Sequence, residues 1–462
     1  MTAIAPSAAP PPPASRARRG VAPALIALAA VPLLWPAIPP LTDLPAHMAE
    51  YHVAAAIGRS PALARYYGFD WALVGNLGVD LAVRPLVPLL GVEAATKLVV
   101  LLIPMLTVAG MLAIAREVHG RMPGSALFAL PLAYAWPFQL GFVNFALAQA
   151  LAFLAFALWL RLGARGRYRL RAGLFAPLAC LLWVAHDFGW GLFGLLAFGA
   201  ELARGRADGR SWPRAAGWSV LQCLPLALPL VAMLAMPTHP TGRRAADDWF
   251  NLTAKARWLL FVLRDRWPAF DALSLAPLAM MLYLGLRDRR LGMAPILAIP
   301  ALLCLGAFVL LPRLLLGGAY VDMRIAPAMI AIGLLAIRPA KSAPRLGRAI
   351  ALAGLAFLAV RTVATTASFV QRSGAQQRTL AALDHVPHGA AVLALVAMPC
   401  SAPGIDDRLD HLAALAIVRR DAFVNDQWAF AGQQLLRVRY AAAAPYLVDP
   451  SQLVFTGCTG PG

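Results

Sequence analysis

Apolar runs of roughly 20 residues, beginning with ALIALAAVPLLWPAIPP, recur along the chain between short polar segments. A run of that length is enough for a helix that crosses a membrane. The pattern predicts spans over 21–41, 92–115, 123–138, 142–160, 172–186, 188–203, 215–236, 268–286, 291–312, 325–337 and 349–370. The expected fold is an all-α polytopic membrane protein with about 11 transmembrane helices, enclosed in a transmembrane domain over 21–370. Its first run ends in AIPPLTD, a poor small-residue cleavage site, so it reads as a retained span. Between the first two spans lies a large external loop, 42–91. A second external loop, 237–267, contains AKARWLLFVLRDRW, an amphipathic stretch expected to lie along the interface.

Both ends of the chain break the pattern. Residues 1–20 form a Pro/Ala-rich segment that reads as a disordered cytoplasmic tail. Residues 371–462 mix strand-like AAVLALV with helix-like LDHLAALAIVRR, which predicts a small extracytoplasmic α/β cap.

Composition supports this picture. The chain is 60% hydrophobic and 14% charged, with a mean hydropathy of +0.67; soluble domains carry about 25% charged residues. The net charge of +19 raises nucleic acid as a partner. Yet the arginines cluster in short segments that all fall on one side of the membrane in the span scheme, among them Arg161 to Arg171 and Arg204 to Arg214. Short basic loops stay cytoplasmic and meet anionic lipid. The arginines therefore read as topology signals, which excludes nucleic acid. The expected location is a bacterial plasma (inner) membrane, crossed many times, with the N-terminus cytoplasmic. Cys180, Cys223 and Cys304 lie in apolar runs and read as small core residues. Cys400 and Cys458 form a disulfide if the C-terminal region is extracytoplasmic, though spacing alone leaves this open.

The ionisable groups expected outside the membrane gather at few places. PLTDLPAHMAEYH, directly after the first span, holds Asp43, His47, Glu50, Tyr51 and His52. Asp43 precedes Pro45, as a helix cap does. Positions 43, 47 and 50 follow i, i+4, i+7 and share a helical face, which makes them candidates for acid–base chemistry or for holding a divalent cation. No spacing here matches a diagnostic zinc motif. Asp80 and Arg84 sit where the chain re-enters the membrane, and the alternative reading is a cap and a snorkelling arginine. Asp70 reads as loop surface.

Spans 172–186 and 188–203 have basic flanks and short arms, so their turn, AHDFGW, is expected to place His186 and Asp187 in a recess open to the outside. Asp322 and Arg324 in YVDMRIAP are candidates for binding a phosphate group, which suits the planar arginine fork; a local ion pair is the plainer reading. His239, Arg243 and Arg244 are weaker candidates of the same kind. Asn144 and Gln149 read as interhelical hydrogen-bonding groups, and Glu93 with Lys97 as a helix pair.

A first span that ends in an aspartate-bearing external loop resembles the polyprenyl-phosphate-dependent membrane glycosyltransferases of the GT-C fold. The nearest likeness is to bacterial multispan proteins whose first loop is similar to DLPAH. GNLGVD (75–80), WPFQLGFVNFAL (136–147), WVAHDFG (183–189) and DMRIAP (322–327) add to it, in order along most of the chain.

The resemblance implies an inverting hexosyl- or pentosyltransferase. It would move a sugar from a polyprenyl-phosphate donor, drawn from the membrane lipid, to an envelope glycan or lipid acceptor. Asp43 would be the general base, with His47, Glu50 and Asp80 assisting. His186, Asp187, Asp322, Arg324 and Arg84 would bind substrate, with Arg324 taking the charge of the leaving phosphate. The paired acidic motif of well-known members is replaced here by Asp-Leu-Pro-Ala-His. Two other classes are carried alongside. A transporter or flippase needs ionisable groups inside the membrane, and the spans read as nearly free of them. A non-catalytic assembly protein would use the cap to bind a partner.

Overall fold

The computed structural model describes residues 16–235, 246–315, 318–339, 343–400, 408–429, 434–447 and 451–458. Most of the predicted tail, and His239, Arg243 and Arg244, lie outside the described residues. The first helix, Arg16–Leu28, begins inside the predicted tail.

The protein is largely helical. Six helices among the described residues are long and apolar enough to cross a membrane: Val87–His119, Val143–Ala164, Tyr168–Ala185, Trp212–Leu234, Pro268–Arg287 and Pro344–His385. This is the signature of an integral membrane protein. The expected 11 spans are not matched by 11 such helices. Apolar residues over 123–138 fold as the short helices Ala126–Ala129 and Trp136–Gln139 joined by a 3-10 turn at Leu130–Tyr134, where Pro131 and Pro137 interrupt a longer helix. Pro295–Leu310 and Val321–Ala336 are apolar but have 16 residues each, about 24 Å of helix.

The hairpin at the centre has longer arms than the spacing predicts. Tyr168–Ala185 has 18 residues and Asp187–Ala207 has 21. They lengthen by drawing their basic flanks into the helices. Arg171, expected as a loop signal, is 1% exposed. Its Nη1 donates to Glu201 Oε1 at 2.6 Å, beside Trp159 Nε1 at 2.9 Å and Arg204. Further buried pairs join Arg361 to Asp271 at 2.8 Å and Arg372 to Asp265. The expectation of spans nearly free of buried charge is therefore corrected. Each of these charges has an opposite partner, which makes its burial tolerable.

Glu93 and Lys97 do not pair with each other. Glu93 meets Arg419 at 2.8 Å, and Lys97 donates to the Leu34 carbonyl at 3.1 Å. The stretch 254–267 also departs from an interfacial helix, since Lys255, Trp258, Arg264 and Asp265 are buried.

Pro344–Leu380 is one helix that runs through the predicted boundary at 370 and into the C-terminal region. Beyond it the cap contains short parallel strand pairs, Ala391–Val392 with Phe423–Val424 and Val396–Pro399 with Leu453–Thr456, and the helix Leu415–Arg420. Cys400 and Cys458 are disulfide-bonded. The cap is not separate from the first loop. Strand Tyr67–Phe69 pairs antiparallel with Leu436–Val438. Asp421 meets His52 Nε2 at 2.8 Å and accepts from Ser60 Oγ at 2.7 Å. The helix Leu44–Ala56 thus lies between the membrane helices and the cap, and most of its residues are buried.

Candidate functional site

The site is assembled where the helix Leu44–Ala56 meets the segment 136–145. Asp43 occupies the N-cap position, but its side chain makes no capping hydrogen bond. The backbone holds it instead: Thr42 N–H donates to the Gln139 carbonyl at 3.3 Å and Asp43 N–H to the Leu140 carbonyl at 2.9 Å. Gly141 makes this approach feasible. Its φ is +91°, and an added Cβ would stand 2.7 Å from the Asp43 nitrogen.

The carboxylates of Asp187 and Asp43 both act electrostatically on the buried Arg324 guanidinium. Arg324 lies in the first turn of Val321–Ala336, which follows the left-handed Tyr320 at φ 58°. Its Nη1 donates to His186 Nε2 at 2.8 Å and its Nη2 to the Ala319 carbonyl at 3.1 Å, while Nε has no hydrogen-bond partner. Because arginine only donates, His186 Nε2 must accept. The imidazole proton then sits on Nδ1, which stands 2.8 Å from Asp187 Oδ1. The Phe188 amide is 3.1 Å from Nδ1 but only 2.7 Å from Asp187 Oδ1, and donates there. The result is a chain, Asp187 to His186 to Arg324, that fixes the guanidinium plane.

Three rings enclose that guanidinium: Phe142 at 4.6 Å, Phe188 at 5.3 Å and Phe145 at 5.5 Å. Such faces attract a cation while keeping water away. The Asp187 side chain is 30% exposed and that of His186 only 9%. GNLGVD straps the turn. Leu77 N–H donates to the Val184 carbonyl at 2.8 Å and Asp187 N–H to the Gly75 carbonyl at 2.9 Å.

A second acidic group stands on the other side of Asn144. Asn144 Oδ1 accepts from Val79 N–H at 2.6 Å, and its Nδ2 donates to the Asn76 carbonyl at 2.7 Å and to Asp80 Oδ2 at 3.0 Å. Its role is therefore to hold the strap, not only to join helices. Asp80 lies close to Glu50 and Tyr51. Burial, and then the Asp80 charge, push the Glu50 carboxyl up to about 8, against the opposing amides of Leu435 and Leu436 that hydrogen-bond it. Burial raises Asp80 to about 6, opposed by Asn144. Two carboxyls this close give up protons as a pair.

The pH sign follows. A carboxyl raised from 4.5 to about 8 keeps its proton in the folded state, so its contribution to stability is complete below 4.5 and is lost as pH rises through 8. Asp80, raised from 3.8 to about 6, acts in the same direction. We expect amide exchange of the segment 434–438, corrected for intrinsic rate, to accelerate as pH rises towards 8. In Glu50→Gln that acceleration is expected to shrink markedly. Equal pH profiles for the two proteins would refute the assignment.

The remaining predicted residues lie elsewhere. His47 turns to the cap, where burial and then the nearby His411 lower it to about 4. Asp322 is 1% exposed and accepts from Lys255 Nζ at 2.9 Å. Lys255 also donates to the Phe308 and Leu311 carbonyls, so Asp322 serves an internal ion pair. Arg84 is exposed and lies over Trp71 at 4.3 Å. Asp70 pairs with Arg437 at 2.5 Å on the surface. The shared face of 43, 47 and 50 does not produce a cation site. Among the described residues no group of three His, Cys, Asp or Glu side chains is placed to hold a metal ion. The charge of Asp43 acts on Arg324, the His47 ring meets Trp428 of the cap, and the charge of Asp80 acts on Glu50.

Sequence reasoning missed the phenylalanine cage, although the aromatic spacing in QLGFVNF was its signal. It also missed Tyr51 as a partner of the acidic pair, and the cap side chains that meet His47.

No family model matches the chain, and no curated protein does. Among solved structures, it is similar to the crystal structure of ArnT from Cupriavidus metallidurans bound to undecaprenyl phosphate. The TM-score is 0.49 at 12% identity, and the match covers 89% of this chain and 90% of that one.

Proposed function

We propose that the protein is a membrane glycosyltransferase. In this reading it transfers a sugar, with inversion, from a polyprenyl-phosphate donor to an envelope acceptor at the extracytoplasmic face of a bacterial plasma membrane. The observation that carries this reading is the juxtaposition of Asp43 with the caged, His186-braced guanidinium of Arg324. A carboxylate beside a fixed cation suits a displacement in which one oxygen loses a proton while another gains negative charge.

The Asp43 carboxylate takes the proton of the acceptor hydroxyl. The acceptor oxygen attacks the anomeric carbon from the face opposite the phosphate. The carbon–oxygen bond to phosphate breaks, and its electron pair leaves with the polyprenyl phosphate. Arg324 offers guanidinium donors to that phosphate, among them Nε, which has no internal partner. His186 and Asp187 position the guanidinium and do not touch the reacting atoms. The acidic pair Glu50 and Asp80 shapes the loop that carries Asp43. Asp322 and Arg84 hold structure around the site.

The disulfide between Cys400 and Cys458 supports an extracytoplasmic cap, because such bonds persist in oxidising compartments. The arginine-rich segments then face the cytoplasm, and the cap with Leu44–Ala56 lies outside. The buried ion pairs are matched internally, so they do not favour the transport reading.

The test compares lipid-linked sugars and envelope glycans by mass spectrometry in wild-type and deletion strains. The deletion is expected to lose one sugar from a glycan or lipid and to accumulate its polyprenyl-phosphate donor. Unchanged glycans and donors would overturn the proposal.

A further inference from the structure

The mechanism leaves one group of side chains unused. On the cap side of Leu44–Ala56, the His47 ring lies 5.5 Å from that of Trp428 and 6.2 Å from that of Tyr51. Trp428 in turn lies 4.5 Å from His411. His411 Nδ1 is 3.5 Å from Gln452 Nε2 and 3.1 Å from the Asp426 carbonyl. His47 and Trp428 are half-buried, while Tyr51, His411 and Gln452 behind them are no more than 5% exposed.

Three buried polar atoms in this group have no hydrogen-bond partner: His47 Nδ1, the Tyr51 hydroxyl and Gln452 Oε1. Leaving one such atom unmatched costs free energy; His47 Nδ1 belongs to a ring that meets the indole directly, and Gln452 reaches it through His411. They include a hydroxyl that both donates and accepts and an amide oxygen that accepts. No arginine or lysine belongs to the group. An aromatic face edged by imidazole, hydroxyl and amide donors and acceptors suits a ligand that is itself apolar on one face and hydroxylated at its edge. That is the chemistry of a sugar ring.

We propose that His47, Tyr51, His411, Trp428 and Gln452 form a saccharide-binding subsite, with the sugar ring laid against Trp428. Asp43 and His47 are four residues apart along one helix, about 5.4 Å of rise per turn. A ring held beside His47 therefore lies one helical turn from Asp43 along Leu44–Ala56. Resting on the transferase reading above, the subsite holds the acceptor and makes that acceptor a glycan, in preference to a lipid or protein hydroxyl. It gives the cap a binding role, since Trp428, His411 and Gln452 all come from the C-terminal region.

The experiment uses full-length protein in lipid nanodiscs and saturation-transfer difference NMR. The probes are the methyl glycosides of glucose, galactose, mannose and N-acetylglucosamine. At least one glycoside is expected to receive saturation from the wild type and from Asp43→Asn. Its signal is expected to fall at least five-fold in Trp428→Ala and at least two-fold in Gln452→Leu, a variant of nearly unchanged volume that decides the matter if Trp428→Ala does not fold. Absence of signal from all four glycosides with the wild type overturns the subsite, as does equal signal from folded Trp428→Ala or, where that variant fails to fold, from Gln452→Leu. The two readings fail separately. Trp428-dependent binding with unimpaired transfer by Asp43→Asn leaves the subsite standing and removes the catalytic reading. Loss of transfer in Asp43→Asn without glycoside binding does the reverse.

Discussion

Asp43→Asn is expected to remove sugar transfer while leaving the protein folded. General-base catalysis contributes about 10²- to 10⁴-fold, and asparagine cannot take a proton from the acceptor. The substitution is nearly isosteric. It costs no capping bond, because the Asp43 side chain makes none. The backbone bonds to the Gln139 and Leu140 carbonyls are untouched. Transfer would be measured in membranes from the variant strain, with the donor that accumulates on deletion. The expected fall in kcat is at least about 10²-fold, with donor binding retained and an unchanged unfolding temperature. A rate within two-fold of the wild type would show that Asp43 is not the base.

Arg324→Gln is expected to fail differently. It removes the charge on which Asp43 and Asp187 both act, and leaves three phenylalanine faces around a neutral amide. Losing one such electrostatic contact typically costs about 10²- to 10³-fold in kcat. Donor binding should weaken too, because phosphate is present in ground state and transition state alike. Arg324→Lys restores the charge but not the planar fork, and should recover part of the loss. A lipid-phosphate binding assay separates the two substitutions: Asp43→Asn keeps affinity and Arg324→Gln loses it. Equal affinity in both would remove Arg324 from the phosphate site.

Local pattern carried the parts of the site that lie close in sequence. DLPAH, GNLGVD, the 136–147 segment, AHDFG and DMRIAP are each short, and the structure brings residues from all five into contact or electrostatic range. What pattern could not carry is which face each residue meets. Positions 43, 47 and 50 share a helical face by spacing, but the helix lies between membrane helices and cap, so partners meet it from two sides. One turn separates Asp43 near Arg324 from His47 near Trp428. Asp322 looks like a phosphate ligand beside Arg324 until Lys255, 67 residues earlier, is seen to claim it. Arg171 reads as a loop signal because Glu201, 30 residues on, leaves no local trace. Span counting failed where prolines divide an apolar run into short helices. In each case the deciding interaction is long-range, and hydrophobic periodicity reports only on neighbours.

The order of synthesis gives one of these contacts a further meaning. Arg408 Nη1 donates to the carbonyl of Pro40, three residues before Asp43, and its Nη2 to Asp265 at 3.2 Å. The Glu50 carboxyl, likewise, is met by the amides of Leu435 and Leu436. The ribosome makes the Asp43 loop long before these partners. A nascent chain with every apolar segment already inserted still lacks the groups that fix its earliest loop. The contacts that fix this loop therefore form only once the segment from Arg408 to Leu436 has been made, and a product terminated before it reaches the membrane with that loop unfixed.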